Sequence, residues 1–429
     1  MNGPYKNPND DPAPIWRPSA EEQELRHQLE QKREIKAKYN LLSLNKQETT
    51  ELYKYILLLG NNSDVVKRVM DARPSWTQIK SSQTLYNFKW TPSSKQIKFD
   101  FLGKHGQKNL VNHFENHALI TTKDKLIESM SKLSEYLHQD VFNTIPITFV
   151  IDLGTSLCQQ EFDKFTYYFN MIEKFKEPYA EQHSEEGKLE VIANMNRNIQ
   201  QYSSMNEKKR KYGTLTMRET LYDGHNMWLF KPADANRGRG VNLFNSIDEL
   251  KRLIVEHTSR AESKQFQNFA HANNIAVANA GGQPGAQQPA MAAPEEASAA
   301  ATPAAATEKQ PASIPQVKAD VFVLQKYIEK PLLISQRKFD IRLWVMITPE
   351  HKCYYFKEGY IRMSGQTYDI SQTDNLFVHL TNNAIQKHGA NYGQFEEGNI
   401  LSFSEGKVSP SVSLKFLIIF ANLVLLSCA

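Results

Sequence analysis

Cysteine is scarce in this chain. Cys158, Cys353 and Cys428 are its three cysteines, far apart in 429 residues. They fit no zinc spacing and leave an odd thiol, which excludes a disulfide framework and implies a reducing compartment. An apolar leader is also missing: Met1 to Pro18 is polar and proline-rich, unlike a signal peptide. Charge of one sign is not in excess. Lys and Arg total 51 against 47 Asp and Glu, a net +4, and so mild a balance does not call for nucleic acid. The one compact basic run, Lys208-Lys-Arg-Lys211, reads as a solvated face. Ser413 to Ala429 is strongly apolar, but it is shorter than the ~20 residues a membrane helix needs and carries Lys415 near its start. A membrane anchor is not expected, and a buried helix cut off by the chain end accounts better for that tail.

Length allows two or three domains at the usual ~100–200 residues each. Residues 1–45 read as a charged, partly disordered extension in which Glu21 to Tyr39 forms a solvated helix. Residues 46–80 read as helical, with Leu52, Tyr55, Ile56 and Leu59 at helical spacing and a break at Gly60-Asn-Asn-Ser63. A smaller α/β domain is expected over 81–185. Its strand-like runs are Leu85–Trp90, Gln96–Leu102 and Ile145–Leu153, and its helices are Lys123–His138 and Phe162–Phe175. A connecting segment covers 186–226. From 227 to 408 the pattern is strand-rich, with strands at Met227–Lys231, Val241–Phe244, Val321–Tyr327, Phe339–Ile347 and Cys353–Phe356 and a helix at Asp248–Thr258. An insert at about 260–317 interrupts it. Ala276 to Pro315 has no aromatics and is rich in Ala, Pro, Gln and Gly, so it cannot bury enough apolar area to offset its ordering entropy. Residues 409–429 are the apolar, divergent tail.

The segment Met227-Trp-Leu-Phe-Lys-Pro-Ala-Asp-Ala-Asn-Arg-Gly-Arg-Gly-Val-Asn-Leu-Phe244 reads as strand, glycine-rich turn, strand. Gly238 and Gly240 let a backbone approach closely, and Lys231, Arg237 and Arg239 supply positive charge for a polyanion. It is neither a P-loop nor a dinucleotide fingerprint, both of which lead from a strand into a helix. On this segment alone an ordinary solvated basic hairpin is an equal reading.

Three further blocks follow in order: Val323-Leu-Gln-Lys-Tyr-Ile-Glu-Lys-Pro-Leu-Leu333 with Arg337-Lys-Phe-Asp-Ile-Arg-Leu-Trp344; Tyr354-Tyr-Phe-Lys-Glu-Gly-Tyr-Ile-Arg-Met363; and Phe377-Val-His-Leu-Thr-Asn-Asn-Ala-Ile-Gln-Lys387, closing at Gly398-Asn-Ile-Leu-Ser-Phe403. Together with the hairpin, this series resembles the tubulin–tyrosine ligase-like family. The resemblance implies an α/β (α+β) ATP-grasp-like fold and an ATP-dependent acid–amino-acid ligase of the cytoplasm and cytoskeleton, at a cilium or basal body. Its partners would be tubulin, modified on its acidic C-terminal tails, and an amino-acid substrate. Glutamate addition is the first reading and glycine addition the alternative. A catalytically inactive microtubule- or cilium-binding fragment is the reading of another class.

The chemistry explains the residue types. Such a ligase activates a carboxylate as an acyl phosphate, so two anions must meet; fixed positive charge and magnesium offset their repulsion. By resemblance, Lys231 contacts nucleotide phosphate, and Arg237 with Gly238 belongs to a covering loop. Gln325, Lys326, Tyr327 and Ile328 line the adenine site, where backbone reaches the base edge and Ile328 packs on its face. Lys338 and Asp340 sit near ribose or phosphates, and Thr381 and Asn382 face the phosphates. Arg362 pairs with the carboxylate of the incoming amino acid, to which a guanidinium fork is suited. Lys231, Arg237 and Arg362 are thus the candidate catalytic residues. Taken singly, Lys338 and Asp340 also read as a surface ion pair, and His379 as a hydrogen-bonded core residue.

The sequence departs from the family at one place. Family members continue past the Leu-Ser-Phe block to a strand with an acidic residue and a Glu-x-Asn signature that hold magnesium. Here the chain turns at Lys407 into Val-Ser-Pro-Ser, and no acidic residue follows Glu405. The ATP and Mg2+ of the family are expected, but the magnesium ligands are not among these residues. Asp369, Asp374, Glu396 and Glu397 do not match that position, and the two glutamates read as a solvated loop. The expectation is a ligase domain truncated at its C-terminal, metal-binding end.

Overall fold

The computed structural model describes residues 53–60, 63–80, 85–106, 108–206, 215–276, 317–350 and 352–406. The charged extension, the Lys208–Lys211 run, most of the Ala/Pro-rich insert and the apolar tail lie outside them. The chain divides into two compact units between Leu119 and Ile120.

The first unit holds a parallel sheet. Its strands are β1 (Tyr53–Leu57), β2 (Trp76–Gln78), β3 (Phe88–Trp90) and β4 (Leu110–Val111), in the order β2-β1-β3-β4. Tyr53–Leu57 is therefore a strand where the apolar spacing suggests a helix. Tyr55 and Ile56 are adjacent and both buried, as a central strand covered on both faces requires, and in so short a run that pattern mimics one helical turn. The helix expected after the Gly60 break is present as α1 (Ser63–Asp71). Gln96–Leu102 does not form a strand. Ser93 accepts from the Lys95 amide and starts a 3-10 turn at Ser94–Gln96, and a second turn follows at Phe99–Phe101.

The second unit is built on an antiparallel sheet of order β5-β8-β6-β7, comprising β5 (Thr148–Asp152), β6 (Trp228–Pro232), β7 (Asn242–Phe244) and β8 (Val321–Lys326). Thr148–Asp152, whose sequence neighbours suggest a separate domain over 81–185, pairs along its whole length with β8. Alternation along these strands separates two faces. Phe149, Ile151, Trp228, Phe230, Phe322 and Leu324 point into the main core. There Trp228 meets Phe165 edge-on at 4.9 Å between ring centroids, supplied by the helix Cys158–Glu173. Thr148, Leu229, Lys231, Val323 and Gln325 share the other face, as the registers Thr148↔Gln325 and Lys231↔Val323 require.

The helix Ile247–His257 buries Leu250, Leu253 and Ile254. It starts at Ser246, whose hydroxyl accepts from the Glu249 amide at 3.2 Å. Ser246→Ala should cost about 1 kcal/mol of stability in denaturant unfolding, the usual value of such a cap. The first residues of the insert expected at about 260–317 are helical. Lys264–Ala272 is a helix capped by Ser263, with Phe266, Phe269 and Ala270 buried, and Phe269 packs edge-on against Phe162 at 5.3 Å. Those apolar residues repay the ordering of the helix.

A second antiparallel sheet has the order β14-β13-β10-β9, with β9 (Leu333–Ile334), β10 (Arg337–Arg342), β13 (Tyr360–Thr367) and β14 (Ile400–Ser402). The run Phe339–Ile347 splits in two. Residues to Arg342 pair with β13, whereas β11 (Val345–Ile347) forms a separate ribbon with β12 (Cys353–Tyr355). The described residues thus form a mixed α/β structure of four sheets. No helix among them is long and apolar enough to cross a membrane.

Candidate functional site

Lys231 leaves β6 on the face away from the core, and its ammonium donates to Gln325 Oε1 at 2.6 Å. The Gln325 amide in turn donates to Thr148 Oγ1 at 3.0 Å. Three strands therefore aim one lysine. Burial and the nearby Lys123 ammonium push Lys231 down to about 8. Lys338, on β10, is pushed lower, to about 7, first by burial and then by Lys231 itself, with Asp340 acting in the opposite sense. Lys338 donates to the Tyr327 hydroxyl at 2.7 Å, and its ammonium lies 4.1 Å from the centre of that ring.

Asp340 and Arg362 face each other across β10 and β13. Arg362 grips the carboxylate with two bonds of 2.7 and 2.6 Å, and Thr381 Oγ1 donates to the same carboxylate at 2.7 Å. Arg362 is raised above its ordinary value, chiefly by the hydrogen bond to Asp340. Asp340 is thus a ligand of Arg362 and not, as the sequence alone suggests, the partner of Lys338.

The glycine-rich turn approaches the segment carrying Thr381 and Asn382. Gly238 has φ +78, and a Cβ there would stand 2.7 Å from Ile385 Cδ1 and 3.2 Å from Asn382 Oδ1. Only glycine fits both the conformation and the contact. Arg237 precedes it, exposed, with φ 60. Ile328, two residues beyond β8, is also exposed.

Lys326 stands apart from its neighbours. Strand alternation puts its side chain on the core face, fully buried against Glu329, so it shares no surface with Gln325. Of the four consecutive residues expected to line one site, Lys326 can contribute only backbone. Glu396 differs too. It is not in a solvated loop but forms a paired, nearly buried ion pair with Arg337.

Sequence reasoning passed over Lys123 and Thr148. Lys123 donates to the carbonyls of Pro232 and Ala233, at 2.9 and 3.1 Å, and to that of Ala235, which fixes the exit from β6. Its position at the first turn of a helix (Lys123–Tyr136) gave no sign of partners more than a hundred residues on.

The model of the Tubulin-tyrosine ligase family matches residues 102–405. The chain belongs to that family. Among its relatives, Tubulin glycylase 3D of Tetrahymena thermophila is 31% identical over 180 residues, 41% of this chain and 12% of the glycylase. Tubulin glycylase 3C of the same organism is 26% identical over 180 residues, 42% of this chain and 11% of that protein. The probable alpha-tubulin polyglutamylase Ttll1 is 24% identical over 294 residues, 67% of this chain and 48% of that protein. The chain therefore spans less than half the length of these relatives.

Family members are ATP-dependent ligases. A nucleotide's phosphates fit the residues present: Lys231, Lys338 and Lys123 are ammonium groups held out of water within one region, and a polyanion favours their charged forms. A metal finds less. Among the described residues no group of three His, Cys, Asp or Glu side chains could hold one, and Asp340 is committed to Arg362 and Thr381.

The lysines also set a pH dependence. Folded, Lys231 and Lys338 hold their protons only up to about 8 and about 7, against ~10.4 for an unfolded lysine. Between those values the unfolded chain binds more protons, so stability must rise with pH. Without nucleotide, the melting temperature should climb from about pH 7 toward pH 10, and the slope should flatten in Lys338→Met.

Proposed function

We propose that this chain carries the ATP-binding part of a ligase that adds an amino acid to side-chain carboxylates on tubulin's acidic C-terminal tails. The observation that carries this reading is the pairing of two buried lysines, Lys231 and Lys338, in a chain of the tubulin-tyrosine ligase family whose Gly238 turn lies against Asn382. The second unit is read as ATP-grasp-like, with the hairpin around Gly238 covering the phosphates. Lys231 and Lys338 would hold the phosphates, Gln325 to Ile328 the base, and Thr381 with Asn382 the far side of the phosphates. Arg362 would exchange Asp340 for the carboxylate of the incoming amino acid, since both are planar anions suited to its fork.

In the reaction, a carboxylate oxygen of the tubulin tail attacks the γ-phosphorus and ADP leaves, giving an acyl phosphate. The amine of the incoming amino acid attacks the acyl carbon, inorganic phosphate leaves, and the amine's proton passes to solvent. The lysines stabilise charge that builds up as the two anions meet. Magnesium is expected from the family and would supply further positive charge against the phosphates; the described residues offer no group of side chains to hold it. The protein would then work at the cytoskeleton, including cilia.

Glutamate is the first reading for the amino acid. Glycine is a second, favoured by the two glycylase relatives. The test is mass spectrometry of tubulin tails after incubation with this protein, ATP, magnesium and one amino acid at a time. A glutamate-sized gain supports the first reading and a glycine-sized gain the second. Co-sedimentation with microtubules and no ATP consumption would instead make this a non-catalytic binding protein.

A further inference from the structure

We infer that His379, acting through the hydroxyl of Tyr327, is a positioning residue that aims and keeps charged the Lys338 ammonium. The inference rests on the proposed nucleotide site. It follows from counting protons along one buried chain of hydrogen bonds. The Gln372 carbonyl can only accept, so the His379 Nε2 that lies 2.9 Å from it must carry a proton. In a neutral ring Nδ1 is then an acceptor, and the Tyr327 hydroxyl, 2.9 Å away, donates to it. That leaves the oxygen of Tyr327 to accept from Lys338 at 2.7 Å. The relay then runs from Gln372 through His379 and Tyr327 to Lys338.

The surroundings enforce the same order. Tyr327 and His379 are both 1% exposed. Burial pushes His379 down to about 4, with Lys338 acting in the same sense and Asp369 against it. An imidazolium would put a second donor on the Tyr327 oxygen that already accepts from Lys338, and would face the Lys338 charge. Lys338 itself faces Lys231, which opposes its charge, and Asp340, which favours it. Tyr368 also hydrogen-bonds Tyr327, and its own proton goes to the Glu329 carbonyl at 2.8 Å. Tyr327 is thus the group that gives Lys338 an acceptor while its ring covers the stem.

The test is ATP affinity of the whole chain as a function of pH, with Lys338→Met as reference. Affinity should fall as pH rises through about 7, and Lys338→Met should remove that fall. Tyr327→Phe keeps the ring and deletes the hydroxyl; it should weaken binding roughly five- to tenfold and move the fall to lower pH. His379→Leu should act in the same direction, and His379→Gln, whose amide oxygen can accept from Tyr327, should restore part of the loss. A purely structural role would lower the melting temperature and leave the pH profile in place. Nitrogen NMR of the wild-type ring should show His379 protonated at Nε2. Protonation at Nδ1, or an unchanged profile in Tyr327→Phe, overturns the relay. An unchanged affinity in Lys338→Met overturns the nucleotide site beneath it.

Discussion

Glu329→Ala should lower the stability of the second unit by about 3–5 kcal/mol, the usual cost of stranding a buried charge. Both Glu329 and Lys326 have no exposed side-chain surface. The Lys326 ammonium donates to Glu329 and to the Met227 carbonyl, the latter at 2.9 Å, and lies 5.7 Å from the centre of the Trp228 ring. Burial lowers Lys326 from its ordinary value, and Glu329 is the main force against that. The carboxylate also accepts three backbone amides: Asp223 at 2.6 Å, His225 at 3.2 Å and Met227 at 2.7 Å. It therefore ties the loop before β6 to the end of β8. Removing it leaves three amides without an acceptor and one buried ammonium with the Met227 carbonyl but no counter-charge. The double change Lys326→Met with Glu329→Ala removes the stranded charge but not the stranded amides, so it should recover only part of the loss. Urea unfolding of the three variants measures this. A Glu329→Ala loss under ~1 kcal/mol would mean that water reaches the pair.

That pair shows what the sequence could and could not convey. Lys326 stands in Gln-Lys-Tyr-Ile-Glu among residues expected to line the adenine site, and nothing in that block marks Glu329 as its buried partner. The alternation that sends Lys326 inward is visible in the residues themselves, since Phe322 and Leu324 are the apolar members of the same face. The partner loop at 223–227 is not, being about a hundred residues away. Lys231, Gln325, Lys338 and Arg362 stand out as candidates because each lies in a short block of recognisable order. The contact of Lys231 with Gln325 depends on register: a strand shifted by one residue would turn Lys231 into the core. Tyr55 and Ile56 mark the opposite failure. Five residues with two adjacent apolar side chains suit one turn of helix or a central strand, and only the parallel neighbours decide. Lys123 and Thr148 carry no local sign of their role, because what they hold comes from strands joined to them by folding alone.

Lys231→Met should weaken nucleotide binding and slow turnover by about a hundred- to a thousandfold, the range seen when one fixed donor to a developing charge is lost. The substitution keeps the length and apolar stem of the side chain. It acts on the face opposite Trp228 and Phe230, so the core of the second unit stays packed. It also removes an ammonium that burial and Lys123 already disfavour, so the variant protein should melt no lower than the wild type and somewhat higher near neutral pH. Loss of binding with retained or increased stability is the signature of a residue kept for a ligand at a cost to the fold. Lys231→Arg should not rescue it. A guanidinium is larger and forked, and Gln325, held by Thr148 at 3.0 Å, leaves a position shaped for a compact ammonium. Gln325→Leu separates aim from charge: it keeps Lys231 but removes its acceptor, and should cost less than Lys231→Met, roughly tenfold. Isothermal calorimetry with ATP and thermal melting of the same samples give both quantities. Unchanged ATP affinity in Lys231→Met would remove the phosphates from this face of the sheet, whatever the family's chemistry.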